Sequence, residues 1–184
     1  MSDKVASPNP RPFVSRLARW RVPLGFVSAA LVFWLATPTR HTLLWGTLIA
    51  VVGESLRVWA AGHLNKSREV TRSGPYRWFA HPLYVGSSVM GLGVAVASGH
   101  VVVVLLIALY LGVTITAAIR HEEAFLRARF GVAYDAYRTG TDADRPQTRF
   151  SVRQAMANRE YRAAAGLLGA VLLLLWKATY NEPL

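Results

Sequence analysis

The chain alternates long apolar stretches with connections that are either very short or strongly basic, and that alternation leaves few folds open to it. Five stretches, 22–38, 42–62, 82–98, 101–119 and 163–181, approach membrane-crossing length. About 20 residues cross the ~30 Å hydrocarbon core of a bilayer, and about 17 suffice. The sequence therefore predicts an all-α integral membrane protein, a single domain over 1–184 with about five transmembrane helices. The first stretch, from Val22 to Ala36 and stopped by Pro38, reads as a span; it is rather long for a cleaved signal peptide. Pro82 opens the third in the position a helix tolerates best. Ser98-Gly99-His100 turns the third into the fourth as a helical hairpin. Residues 1–12 carry Pro8, Pro10 and Pro12 and read as disordered.

Composition agrees. Hydrophobic residues make up 53% of the chain and charged ones 17%. Soluble domains sit nearer ~45–50% and ~25%, and disordered chains are apolar-poor. No cysteine is present, which excludes disulfides, thiol nucleophiles and cysteine metal sites. The net charge of +11 admits nucleic acid or anionic lipid as partner. Position decides: 18 of the 21 Lys and Arg lie in 1–21, 63–81 and 120–162, and the alternate connections hold only Arg40. The positive-inside rule then makes the N-terminus and both long connections cytoplasmic, and an odd number of spans puts the C-terminus outside. Basic residues spread along membrane flanks, with no nucleic-acid-binding signature, leave nucleic acid out as a partner.

Four groups of residues invite chemistry. Glu54 and Arg57 stand three apart, on one face of the second span, where charge is costly and usually functional. An ion pair that only fixes helix packing is the simpler alternative. The connection into the third span, Gly74-Pro75-Tyr76-Arg77-Trp78-Phe79-Ala80-His81-Pro82-Leu83-Tyr84-Val85-Gly86, is crowded with aromatic rings. An interfacial belt accounts for Trp78 and Phe79, but poorly for His81 and the two proline pairs. Gly91 and Gly93 allow either close helix approach or a ligand against bare backbone. Glu122 and Glu123 follow the fourth span, where a helix C-terminus would disfavour anions unless the helix continues. Phe125, Leu126, Ala133, Tyr134 and Tyr137 are placed to share an inward face, and Thr141 to Gln147 reads as loop. No metal site is expected: His121 and Glu122 lack a second matched pair.

In order, GPYxxxxHPxYxG, GxG, a further span, Glu-Glu and FGxxYxxY resemble the isoprenylcysteine carboxyl methyltransferases and their relatives, the phospholipid N-methyltransferases. The likeness covers about residues 50–140. It implies an integral membrane enzyme that uses S-adenosylmethionine, with a cofactor pocket at the cytoplasmic face. By that resemblance Tyr76, His81, Pro82, Tyr84, Gly86, Gly91, Gly93, Glu122, Glu123, Tyr134 and Tyr137 are cofactor-binding. Carboxylates suit the cofactor's ammonium or ribose hydroxyls, and aromatic rings suit its adenine or sulfonium. Arg57, Glu54 and His81 are the expected catalytic residues. Arg57 would hold a carboxylate acceptor, whereas an amine acceptor would lose its proton to Glu54 or His81. The expected partners are a lipophilic small molecule or lipid as substrate and the surrounding membrane lipids. The expected location is a bacterial inner membrane.

Two positions depart from the pattern. Ala80 stands where the family usually has Arg, so either Arg77 substitutes or an anion-binding role is lost. Thr139 to Pro146 replaces a Val-Pro-Arg-like stretch. Two other functions remain compatible with the layout: an NADPH-dependent membrane reductase of the sterol type, and a non-catalytic membrane module.

Overall fold

The computed structural model describes residues 25–65, 70–140 and 149–181. The disordered reading of 1–12 and the loop at 141–147 fall outside them. Among the described residues the fold is all-helical: α1 (Gly25–Leu35), α2 (Arg40–His63), α3 (Pro82–Ala97), α4 (Val101–Phe130), α5 (Val132–Thr139), α6 (Val152–Ala157) and α7 (Tyr161–Asn181), with a 3-10 turn at Gly74–Arg77.

Three of these helices, α2, α4 and α7, are long and apolar enough to cross a membrane; α1 and α3 are apolar but shorter. Among the described residues, three of the about five spans expected from sequence reach membrane-crossing length. The reason is local. Pro82 and the Ser98-Gly99 turn confine α3 to 16 residues, a rise of about 24 Å at 1.5 Å per residue, short of the ~30 Å core. α1, over Gly25–Leu35, is shorter still. In the other direction α4 does not stop at Ile119. Its 30 residues rise about 45 Å and carry Glu122 and Glu123 beyond the apolar stretch, so the acids do not sit at a helix end.

Each helix end has an identifiable cause. Thr39 and Thr42 form a reciprocal capping box at the start of α2. Gly99, at φ 65°, makes the turn out of α3, and His100 Nδ1 then accepts the N–H of Val102 to start α4. Gly131, at φ 51°, breaks α4 from α5. That break redirects the chain, so the inward face expected over 125–137 does not form as one stripe. Phe125 and Ala133 are exposed, and of the five residues expected there only Tyr134 is buried.

The most intimate packing is a seam between α2 and α3. Gly46 and Gly53 on α2 meet Gly86 and Gly93 on α3, each pair seven residues apart and so on one face. Backbone touches backbone there: a Cβ on Gly93 would lie 2.6 Å from Ala50 Cα and 2.6 Å from Gly46 O. Small residues at helix crossings permit this approach in membranes. Elsewhere the exterior is apolar, with Val101, Leu105 and Leu109 of α4 exposed, as suits a lipid-facing surface.

The two ends of the bundle differ. At one, Thr37 N–H donates to Ser98 O at 2.8 Å, and Ala36, Leu43, Ala97 and Leu174 cluster. Lys177 of α7 donates to the carbonyls of Phe33 (2.5 Å) and Trp34 (2.8 Å) that end α1. At the other end the basic connections converge. Gln154 donates to Leu64 O at 2.8 Å, and Asn158 to Ala61 O (2.8 Å) and Leu64 O (2.9 Å), so α6 satisfies the last carbonyls of α2. Arg72 donates to Ala133 O, and Tyr137 to Tyr76 O. All the candidate chemistry except Gly91 and Gly93 gathers at this end.

Candidate functional site

Two neighbouring polar clusters flank the start of α3. The first is built around His81, which sits at the N-cap position but makes no side-chain cap bond. Its ring is free to face α4 instead. Nδ1 lies 3.6 Å from a Glu122 oxygen and Nε2 lies 3.4 Å from a Glu123 oxygen. These contacts, Glu122 foremost, hold His81 above the ordinary imidazole range, against the opposing effect of burial. Arg138 from α5 reaches Glu123 at 3.4 Å. Continuation of α4 through Arg120–Phe130 is what places both acids opposite the ring.

Four phenols close this cluster. Tyr137 donates its hydroxyl to Tyr76 O at 2.9 Å, and its ring lies 6.3 Å from that of Tyr134. The Tyr84 ring is 5.8 Å from His81. Burial, and then the nearby charge of Glu122, pushes the Tyr76 phenol up. Burial and Tyr134 push Tyr137 up to about 12. Tyr134 rises for the same first reason, with Glu123 adding to it. All three are therefore neutral hydrogen-bond donors near pH 7. The Tyr134 hydroxyl is buried and makes no hydrogen bond, which leaves it an unmet donor.

The second cluster lies on the α2 side. Arg57 Nε is 3.5 Å from Glu54 and 2.6 Å from Glu160. The shorter contact is ionic and off-axis, since neither Nε nor that Glu160 oxygen meets hydrogen-bond geometry. Nη1 donates to Ser87 Oγ and, at 3.5 Å, to Leu83 O. All three charged side chains are less than a fifth exposed. Gly86 makes room for this arrangement, because a Cβ there would lie 2.6 Å from Arg57 Cγ. Beside Glu54, a cavity of about 580 Å³ opens between α2 and α7, walled by Val51, Trp59, Phe150, Leu168 and Val171.

The structure thus brings together His81, Tyr76, Tyr84, Glu122, Glu123, Tyr134 and Tyr137, and separately Glu54, Arg57 and Gly86. Pro82 is buried in the first turn of α3 between them. Gly93 belongs to the α2–α3 seam, and Gly91 faces Leu111 of α4. The two glycines of the GxG therefore meet two different helices. Arg77 is exposed, as are Trp78 and Phe79.

Glu160, Ser87 and Arg138 were not singled out from sequence. Glu160 had one usable signal: it is an acid directly before an apolar stretch, where a helix N-terminus favours negative charge. Among the described residues no group of three or more His, Asp or Glu is placed to hold a metal ion.

Residues 20–133 match the phospholipid methyltransferase family. The chain belongs to that family. Among curated proteins it is 34% identical over 125 residues to the cobalt-zinc-cadmium resistance protein CzcN of Cupriavidus metallidurans, covering 62% of this chain and 56% of that one. It is 29% identical over 156 residues to the nickel-cobalt-cadmium resistance protein NccN of Alcaligenes xylosoxydans xylosoxydans, covering 78% and 71%. It is 35% identical over 86 residues to the protein-S-isoprenylcysteine O-methyltransferase of Schizosaccharomyces pombe, covering 47% and 36%. The chain thus spans little more than half of CzcN and about a third of the yeast enzyme. No solved structure matches it significantly. Family and yeast relative together point to a membrane methyltransferase. The His81 and Arg57 clusters lie largely inside the matched region; Glu160, Tyr134, Tyr137 and Arg138 lie beyond it.

Proposed function

We propose that the protein is an S-adenosylmethionine-dependent integral membrane methyltransferase that acts on a lipophilic acceptor, either an isoprenylcysteine-type carboxylate or a phospholipid amine. The observation that carries this reading is the adjacency of two unlike sites at one end of the bundle. One is polar and aromatic; the other is a buried charge cluster opening on an apolar cavity.

The residues present suit the cofactor. Glu122 and Glu123 offer acceptors for its ammonium or ribose hydroxyls, Arg138 offers a cation for its carboxylate, and the rings of Tyr84, Tyr134 and Tyr137 offer faces for adenine or sulfonium. The unmet Tyr134 hydroxyl supplies a donor. When bound, the cofactor supplies an electrophilic methyl on sulfur, which departs with its electron pair as a neutral thioether. The protein's own task is then positioning and exclusion of water. The cavity between α2 and α7 seats the acceptor's hydrocarbon part. Arg57 holds a carboxylate acceptor through Nη2, which makes no hydrogen bond among the described residues. An amine acceptor instead gives up its proton to Glu54 or His81.

In this reading one domain over 1–184 crosses the membrane about five times, α1 and α3 being accommodated by bilayer thinning or flanking residues. The N-terminus and the site face the cytoplasm, the C-terminus faces out, and the membrane is a bacterial inner membrane. Two relatives with bacterial sources support the last point. The test is purified protein with methyl-labelled S-adenosylmethionine and host lipid extract, followed by mass analysis of the labelled product. Label in a lipid species is the expected result. NADPH-dependent reduction of the extract with no label transferred would replace the methyltransferase by a reductase.

A further inference from the structure

The Arg57 cluster has one guanidinium and two carboxylates, and the carboxylates are not equivalent. Glu160 directly precedes α7, and its carbonyl accepts the N–H groups of Ala163 and Ala164. Its charge therefore sits where the helix dipole favours an anion. It is also the nearer partner of Arg57, at 2.6 Å against 3.5 Å for Glu54. Glu54 lies in mid-helix on α2, far from any helix end. It is 9% exposed, and neither of its carboxylate oxygens makes a hydrogen bond; Glu160 Oε1 makes none either, but Glu54 is the one of the two that lines the α2–α7 cavity. A buried carboxylate without donors is expensive to keep.

The chain spends strain to bring Glu160 there. Arg159 has φ 62°, the one non-glycine residue with positive φ among those described, a region a side chain adopts at a cost. The preceding Asn158 is bonded to the carbonyls of Ala61 and Leu64 at the end of α2, which fixes the turn and aims Glu160 at Arg57. This segment lies outside the part of the chain that matches the family.

We infer that Glu160 is a specificity-determining residue: by matching Arg57 it leaves Glu54 as the acceptor that faces the cavity, so that an acceptor bearing an amine on an apolar chain is selected over one bearing a carboxylate. An ammonium brings the donors that Glu54 lacks. A carboxylate brings none, and it must compete with two carboxylates already beside Arg57. This rests on the reading above that the α2–α7 cavity seats the acceptor.

The experiment uses the full chain in nanodiscs of zwitterionic phosphatidylcholine, titrated with octadecylamine and with octadecanoate. Binding is read by calorimetry, and transfer of labelled methyl from S-adenosylmethionine is read in the same samples. Wild type is expected to bind the amine about tenfold more tightly, the scale of one hydrogen bond to a charged group. Glu160→Gln releases Arg57 and is expected to erase or reverse that preference. Glu54→Gln keeps the Arg57–Glu160 pair and is expected to erase it as well. An unchanged amine preference in Glu160→Gln overturns the inference. If that variant does not fold, an unchanged preference in Glu54→Gln does so. Amine preference with no methyl transfer removes the methyltransferase reading and leaves the inference standing; methyl transfer with no amine preference does the reverse.

Discussion

Replacing Gly93 by alanine tests whether the α2–α3 seam is as close as the geometry says. The added Cβ would sit 2.6 Å from both Ala50 Cα and Gly46 O, whereas carbon contacts prefer about 3.5–4.0 Å. Both opposing atoms are backbone, so no side chain can swing aside and the helix axes must part by about 1 Å. A gap of that size forfeits a quarter to a half of each contact's ~0.1–0.2 kcal/mol along the seam. Overpacking of this kind costs about 1–3 kcal/mol, and the upper end applies because the obstruction is rigid. Alanine's better helix propensity returns up to about 1 kcal/mol, leaving a net loss near 2 kcal/mol. For a chain of this length that is roughly 4–8 °C in Tm. The assay is thermal unfolding of detergent-purified protein, with two controls in the same background. Gly91→Ala meets only side chains, the movable Leu111 end and Ile107, and should lose less. Gly112→Ala has nothing within 4 Å of the new Cβ and should gain stability. A Gly93→Ala protein as stable as wild type would refute the close-packing argument. The same variant should lose activity, since parting the helices draws Ser87 and Leu83 away from Arg57 Nη1.

Asn158→Ala removes both amide bonds to the end of α2; Leu64 O keeps Gln154 and Ala61 O keeps the Leu64 N–H, so a loss of about 0.5–1.5 kcal/mol per bond is expected, read by thermal unfolding. Tyr137→Phe deletes the bond to Tyr76 O and should cost about 0.5–1.5 kcal/mol while weakening cofactor binding by calorimetry. His81 carries a raised pKa in the folded protein, chiefly through Glu122. Its contribution to stability is therefore complete below about 6.5, the unperturbed value, and is lost as pH rises through the higher folded value. Unfolding scans across that window should show wild type losing stability with rising pH and His81→Gln losing less; parallel curves would exclude His81 as the titrating group.

Several of the side chains that the candidate clusters bring together were legible in the sequence. His81, Glu122 and Glu123 are distant in sequence, yet the order of motifs around them put them in one group, and they meet within 3.6 Å. Glu54 and Arg57 pair as i, i+3 spacing requires. Helix periodicity and short-range spacing carry that information. Glu160 was not legible in the same way. It reaches Arg57 across 103 positions of chain because Asn158 latches α6 to the end of α2 and Arg159 turns in the left-handed region. No local pattern encodes a contact made by such a turn. The Gly91-Leu92-Gly93 motif shows the converse: one spacing, two unrelated jobs, because successive helix positions separated by two face different neighbours.

The sequence alone determined that this chain is helical and built for a membrane, since long apolar runs between basic flanks permit little else and backbone groups in lipid must bond within their own helix. It also determined which residue types stand ready for chemistry. The tertiary structure decided how long each helix is, with α3 held to 16 residues and α4 extended to 30. It also decided which charges share a site: Glu54 and Arg57 come from α2 and Glu160 from the turn into α7, and their balance of one cation to two anions exists only once α7 is docked against α2.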